Sequence, residues 1–118
     1  MNNRKNLNFV TLAIFAPVLI LAGVAGFIVP AQQSLTSGAA PYNIFHLVFG
    51  LVGLIIVLSG NVARCHEFNI IFGLIDLYQA IASFGNFFPQ AQFKWTRVDD
   101  LLHIVIGAAL VLIGIFGS

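Results

Sequence analysis

The sequence predicts an all-α integral membrane protein, a four-helix bundle built from two repeated helical hairpins. Three observations lead there. Hydrophobic residues make up 59% of the 118 residues and charged residues 8%, whereas a soluble domain carries about 25% charged residues. Four continuous apolar runs are each long enough to cross a hydrocarbon core. The second pair of runs repeats the polar and helix-breaking landmarks of the first. The mean hydropathy of +0.99 agrees. The net charge of +1 gives nucleic acid no electrostatic footing, and a single cysteine excludes an internal disulfide or a four-cysteine metal site.

The first span is Phe9 to Val29, an uncharged run. Arg4 and Lys5 before it and Val29-Pro30-Ala31 after it have the layout of a signal peptide, but the run exceeds the roughly 7–15 residues of such a core, so it reads as a span. The second is Ile44 to Gly60, also uncharged; the third is Phe68 to Phe88, with one acid, Asp76. The fourth, Leu101 to Gly117, contains one histidine, His103. Spans 2 and 4 are the shorter pair, at the lower limit for crossing, and are expected to run near the membrane normal. Continuous rather than alternating apolarity argues against strands. What remains is too short for a soluble domain, so residues 1–118 read as a single membrane domain. Arg4, Lys5 and Arg64 against Lys94 and Arg97 give a weak positive-inside bias, which places both termini inside and the long loops, Pro30 to Asn43 and Pro89 to Asp100, outside. Tyr42, Phe93 and Trp95 stand where aromatic interface anchors belong.

The duplication is read from spacing. Asn43, His46 and Gly50 match Asp100, His103 and Gly107 at an offset of 57, while Phe9, Gly26 and Pro30 match Phe68, Gly85 and Pro89 at an offset of 59. Span 1 thus resembles span 3 and span 2 resembles span 4, as parallel repeats related by an axis along the membrane normal. Pro30 and Pro89 stop the first helix of each hairpin. Asn43 and Asp100 are expected to cap the returning helix, which places each histidine in its first turn and each glycine one turn deeper on the same face.

The pattern Asn43-x-x-His46-x-x-x-Gly50-Leu51-x-Gly53-Leu54, followed by Asp99-Asp100-Leu101-Leu102-His103-x-x-x-Gly107, resembles a family of small four-helix bacterial membrane proteins catalogued as a domain of unknown function. The resemblance covers roughly Phe9 to Gly114 and departs in the short first outer loop with its glutamines and serines. It implies a bacterial inner (plasma) or thylakoid membrane, and no activity.

The polar residues inside the spans are the candidate sites. His46 and His103, with Gly50 and Gly107 making room for a flat ring, are the candidate cofactor-binding set: neutral imidazoles at equal depth are good axial ligands for a haem iron or a chlorophyll magnesium. The bland alternative is a pair of hydrogen-bonded residues near the interface, where polarity costs little. Asp76 has no lysine or arginine inside any span to pair with, and Gln79, Ser83 and Asn86 follow it on one helical face. This intramembrane polar stripe is expected to point into the bundle. At the offset of 59 Pro17 is the counterpart of Asp76, and it leaves the carbonyl of Ala13 without a donor. The stripe serves either as structural glue, with a protonated Asp76 donating to a freed carbonyl of that kind, or as a proton path towards the histidines. Lesser features are Arg64-Cys65-His66-Glu67, a thiol beside two bases with no resolving partner; the pair Asp99-Asp100, better placed to cap than to catalyse; and the small-residue spacing Ala22-x-x-x-Gly26. No phosphate loop, nucleophile elbow or zinc motif is present, and no nucleophile and base occur at an interpretable spacing, which argues against an enzyme. Three function classes follow. The first is a non-enzymatic accessory or scaffold subunit packed against a larger respiratory or photosynthetic membrane complex, or a homo-oligomer. The second is a haem- or chlorophyll-binding protein. The third is a small oligomeric transporter or channel.

Overall fold

A computed structural model describes residues 6–117. Four long helices and one short one follow in order: α1 (Leu7–Ile28), α2 (Ala40–Ser59), α3 (Val62–Gly85), α4 (Gln90–Phe93) and α5 (Arg97–Phe116), with a single 3-10 turn at Ala31–Gln33. There is no strand among the described residues. α1, α2, α3 and α5 are each long and apolar enough to cross a membrane. The fold is the all-α four-helix bundle expected from the sequence. Arg4 and Lys5, which set the expected sidedness, lie outside the described residues.

Each helix starts upstream of its apolar run, because the signal that starts a helix is a cap and not a hydrophobe. The Asn6 side chain caps α1 by accepting from the Phe9 amide at 3.1 Å. Asn61 caps α3 through the Arg64 amide, so that helix begins well before Phe68 and takes in Arg64, His66 and Glu67. Thr96 and Asp99 form a reciprocal capping box at α5. α2 starts at Ala40 with Pro41 in its first turn, where the missing amide costs nothing. Asn43 and Asp100 are therefore not caps: they lie inside their helices, and both histidines fall in the second turn. Spans 2 and 4 gain a turn by the same correction. At 20 residues each they reach about 30 Å, enough to cross the core without strain. α2 ends on Gly60 and α3 on Asn86, both in the left-handed conformation (φ 73° and 56°).

The duplication has a single register. α2 and α5, their caps Ala39 and Thr96, the helix ends Ile28 and Gly85 and the terminators Gly60 and Gly117 all stand at the same offset of 57. The offset of 59 assigned to spans 1 and 3 is corrected accordingly. Leu19, and not Pro17, is the counterpart of Asp76.

Within each hairpin the helices approach at equivalent points. A Cβ added at Gly50 would stand 2.9 Å from the Ile20 amide nitrogen and 3.1 Å from the Ala16 carbonyl; one at Gly107 would stand 2.9 Å from the Gly73 carbonyl and 3.0 Å from Leu77 Cγ. Ala16 and Ile20 correspond to Gly73 and Leu77 at the same offset of 57. Small residues let two backbones meet where lipid offers no hydrophobic drive. Between the hairpins the contact is aromatic at mid-depth, with Phe15 edge-on to Phe72 at 5.6 Å, and Phe45 and Phe49 also against Phe72 at 5.8 and 5.1 Å. It is polar at both ends. At the terminal end Asn69 donates to the Asn8 carbonyl and side-chain oxygen at 3.1 and 3.0 Å, and Asn8 donates to the Gly117 carbonyl at 3.3 Å. At the long-loop end Ser37 and Leu35 bond to Asp99, Phe93 and Thr96 of the other hairpin.

Replacing Gly107 or Gly50 by leucine will force the crossings apart and cost about 1–3 kcal/mol each. The lipid-facing Ala109→Leu will leave stability unchanged. Reversible unfolding in mixed detergent checks all three.

Candidate functional site

The two histidine helices converge at the long-loop end, and the tie between them is Tyr42. Its hydroxyl lies 2.7 Å from His103 Nε2 and 3.3 Å from Asp99 Oδ1. A chain in which His103 Nε2–H donates to the hydroxyl and the hydroxyl donates to Asp99 fits both distances and leaves His103 Nδ1 without a partner. The Tyr42 ring packs 4.2 Å from the His46 ring and edge-on to the His103 ring at 5.9 Å. Trp95 and Phe93 close the cluster from the second loop. Tyr42 and Trp95 are buried, at 2% and 6% exposure, and are core residues of this end rather than interface anchors.

Asp99 does two jobs. Its Oδ2 accepts the Thr96 amide at 2.9 Å, closing the capping box, and the Ser37 amide from the other hairpin at 2.7 Å. Two amides, the Thr96 hydroxyl at 3.0 Å and a phenol surround this carboxylate. Asp76 is held differently. It is 3% exposed, and its Oδ1 accepts one bond, from Gln79 Nε2 at 2.9 Å on the next turn. Oδ2 has no donor. The carbonyl of Ala13 is not its partner.

These groups share one cavity of about 550 Å³. Tyr42, His46, Asp76, Asp99 and His103 line it, together with α1 from Phe15 to Val29, the loop 33–37, and Leu102 and Ile106 of α5. Phe15, Phe72 and Asp76 form its deep end. Val18, Ala22 and Ala25 on α1 and Leu102 on α5 are exposed as well as lining, as are Val29, Gln33 and Leu35 at the loop, so the cavity opens both sideways between α1 and α5 and at the long-loop end. No lysine or arginine lines it. Among the described residues no three histidine, cysteine, aspartate or glutamate side chains cluster as a metal site would require.

The other expected residues fall as follows. Gln79 is buried beside Asp76 with Oε1 unpartnered, and Ser83 is half-buried further along. Asn86 leaves the stripe: it is the exposed terminator of α3, turned away by its left-handed backbone. Gly50 and Gly107 are taken up by the helix crossings inside their own hairpins and do not line the cavity. His46 is half-buried with Nδ1 enclosed and unpartnered; His103 has Nε2 committed to Tyr42 and Nδ1 enclosed. Both imidazoles line the cavity, with His103 Nε2 bonded to Tyr42, and the two glycines lie away from it. Cys65 is a fully buried core side chain, and Arg64 pairs with Glu67 at 2.7 Å on the exposed side of α3. Gly26 of the Ala22-x-x-x-Gly26 spacing packs against the Asn43 side chain of α2.

Sequence reasoning passed over Tyr42 and the bridging role of Asp99. Two signals point to them: Tyr42 lies one turn before His46 on the same face, and Thr96-x-x-Asp99 has the spacing of a capping box. Tyr42 and Asp99 are also repeat counterparts, at the offset of 57.

Compared with protein-family models, curated proteins and solved structures, the chain matches none.

Asp99→Ala will strand the Ser37 and Thr96 amides and the Tyr42 hydroxyl, at a cost of about 1–3 kcal/mol. Hydrogen exchange will accelerate at Ser37 and Thr96 and stay slow in the middle of α2; Asp99→Asn will keep part of the protection. Equal exchange in the wild type and Asp99→Ala would remove the bridge from the account.

Proposed function

We propose that this chain is a non-enzymatic membrane protein that holds a small amphipathic molecule in the cavity at its long-loop end. One observation carries the reading: a cavity of about 550 Å³ that opens sideways between two spans and gathers five ionisable side chains at its wall. Ligand sites are concave and mostly apolar, with a few convergent polar groups, and between the helices of a bundle is a common place for them. Intramembrane ionisable residues mark such sites by default. A sideways opening suits a molecule that arrives through lipid. On the charge bias of the loops this end faces away from the cytoplasm of a bacterial plasma or thylakoid membrane. The outer surface carries exposed leucine, isoleucine and phenylalanine along the spans, which also suits an accessory place beside a larger membrane complex. Tetrapyrrole ligation finds less support, because the Tyr42 hydroxyl holds His103 Nε2 and a metal would have to displace it.

The test is extraction into native-lipid nanodiscs without detergent, followed by mass spectrometry of the small molecules retained. The wild type will hold a defined amphipathic molecule. Ala22→Trp and Leu102→Trp, which fill the opening from its two walls, will lose it. The same retained molecules in all three proteins would refute the reading.

A further inference from the structure

The cavity's wall restricts the chemistry of what it takes. It contains two carboxyl groups and no lysine or arginine. An anionic head would find no counter-charge there. The nearby helix start, that of α5, is already occupied by the Asp99 carboxylate of its own capping box. A neutral carbonyl ligand would find the Tyr42 hydroxyl and the Ser37 and Thr96 amides already bonded to Asp99 and His103, which leaves His46 and Gln33, towards the loop, as side-chain donors. What the deep end offers is an acceptor and aromatic rings. Asp76 is almost fully buried, lines the deep end, and leaves one carboxylate oxygen without a donor. Phe15 and Phe72 lie at the same end, edge to face at 5.6 Å. A carboxylate beside aromatic rings in a desolvated pocket binds an onium head: the charge is met by the acid and the methyl or aryl shell by the ring faces.

Resting on the reading of the cavity as a binding site, we propose that its ligand is a hydrophobic monocation, an ammonium or other onium head on an alkyl or aryl body, with Asp76 as the counter-charge. The cation enters sideways between α1 and α5. Its apolar body lies against Val18, Leu19, Leu102 and Ile106, and its head reaches Asp76. Asp99, held by Thr96 of its own hairpin and by Ser37 and Tyr42 of the other, stays structural.

The experiment is equilibrium dialysis of the purified chain in nanodiscs of zwitterionic lipid, with tetraphenylphosphonium as the charged probe and triphenylphosphine oxide as a neutral one of similar shape. The wild type will bind the cation saturably and about tenfold or more tighter than the oxide; Asp76→Asn will weaken the cation about tenfold or more and leave the oxide unchanged. Asparagine keeps the acceptor for Gln79 Nε2, and an unaltered thermal transition confirms that the variant is folded. Asp76→Glu will retain cation binding. Equal binding of the cation to the wild type and Asp76→Asn, equal affinity for the two probes, or no saturable cation binding would each overturn the cation assignment. In any of those cases, loss of the retained natural molecule in Ala22→Trp and Leu102→Trp would keep the cavity as a binding site for another chemistry, and its unchanged retention would remove both readings.

Discussion

The close crossing of two helices at a small residue is the interaction on which this structure depends. Inside lipid there is no hydrophobic effect to draw one apolar helix to another, so association rests on packing and on hydrogen bonds across the gap. The chain places small residues where each hairpin closes on itself: Gly50 on Ala16 in the first, Gly107 on Gly73 in the second. Between the hairpins, aromatic rings meet at mid-depth and polar groups tie the two ends. Phenylalanine side chains hold backbones further apart than glycines do. The space that results, where α1 and α5 diverge, is the cavity. The tight pairs and the open seam are two outcomes of one distribution of side-chain size.

Duplication explains why the polar groups collect at that seam. Two copies of a hairpin that face each other bring equivalent positions together near their common axis. Tyr42 and Asp99 are equivalent, and they are bonded; His46 and His103 are equivalent, and both touch Tyr42. Divergence between the copies then makes the site one-sided. Where the first hairpin has Leu19, the second has Asp76; where the first has Ala39 before its helix, the second has Thr96 and can build a capping box. Tyr42 against Asp99 is a phenol donor meeting a carboxylate acceptor, a more stable pair in a dry interior than like against like.

The four spans, the two hairpins and the inward direction of Asp76 and Gln79 were legible in the sequence, because hydropathy and helical spacing are local properties. The starts of α3 and α5 were not, because apolar runs exclude the charged first turns that Asn61 and Thr96 cap. The offset of 59 arose from matching prolines: Pro30 and Pro89 lie in loops of unequal construction, one before a 3-10 turn and the other before α4, while the helices themselves keep 57. The pairing of His103 with Tyr42 joins residues far apart in the chain and on different hairpins, and a single sequence contains no term that would reveal it. Gly50 and Gly107 were recognised as sites of close approach. What they approach is a neighbouring helix of the same hairpin, and this depends on the rotation of each helix about its axis, which spacing alone leaves free.

The two carboxyl groups of the cavity show how environment separates the roles of one residue type. Asp99 sits where a helix begins. It receives amide donors from its own turn and from the opposite loop, and its charge is offset by the helix start and by directed hydrogen bonds. Removing it takes away two of the bonds that tie the hairpins at the long-loop end. Asp76 sits in the middle of a helix whose backbone donors are already used, and the single donor it has is a side-chain amide one turn away. A group in that position contributes little to holding the bundle together and costs free energy to keep unpaired in a region shielded from water. Leucine at the equivalent point of the first hairpin packs there without such a cost. The second hairpin keeps an acid at the deep end of the cavity, where one of its oxygens is unmet within the chain.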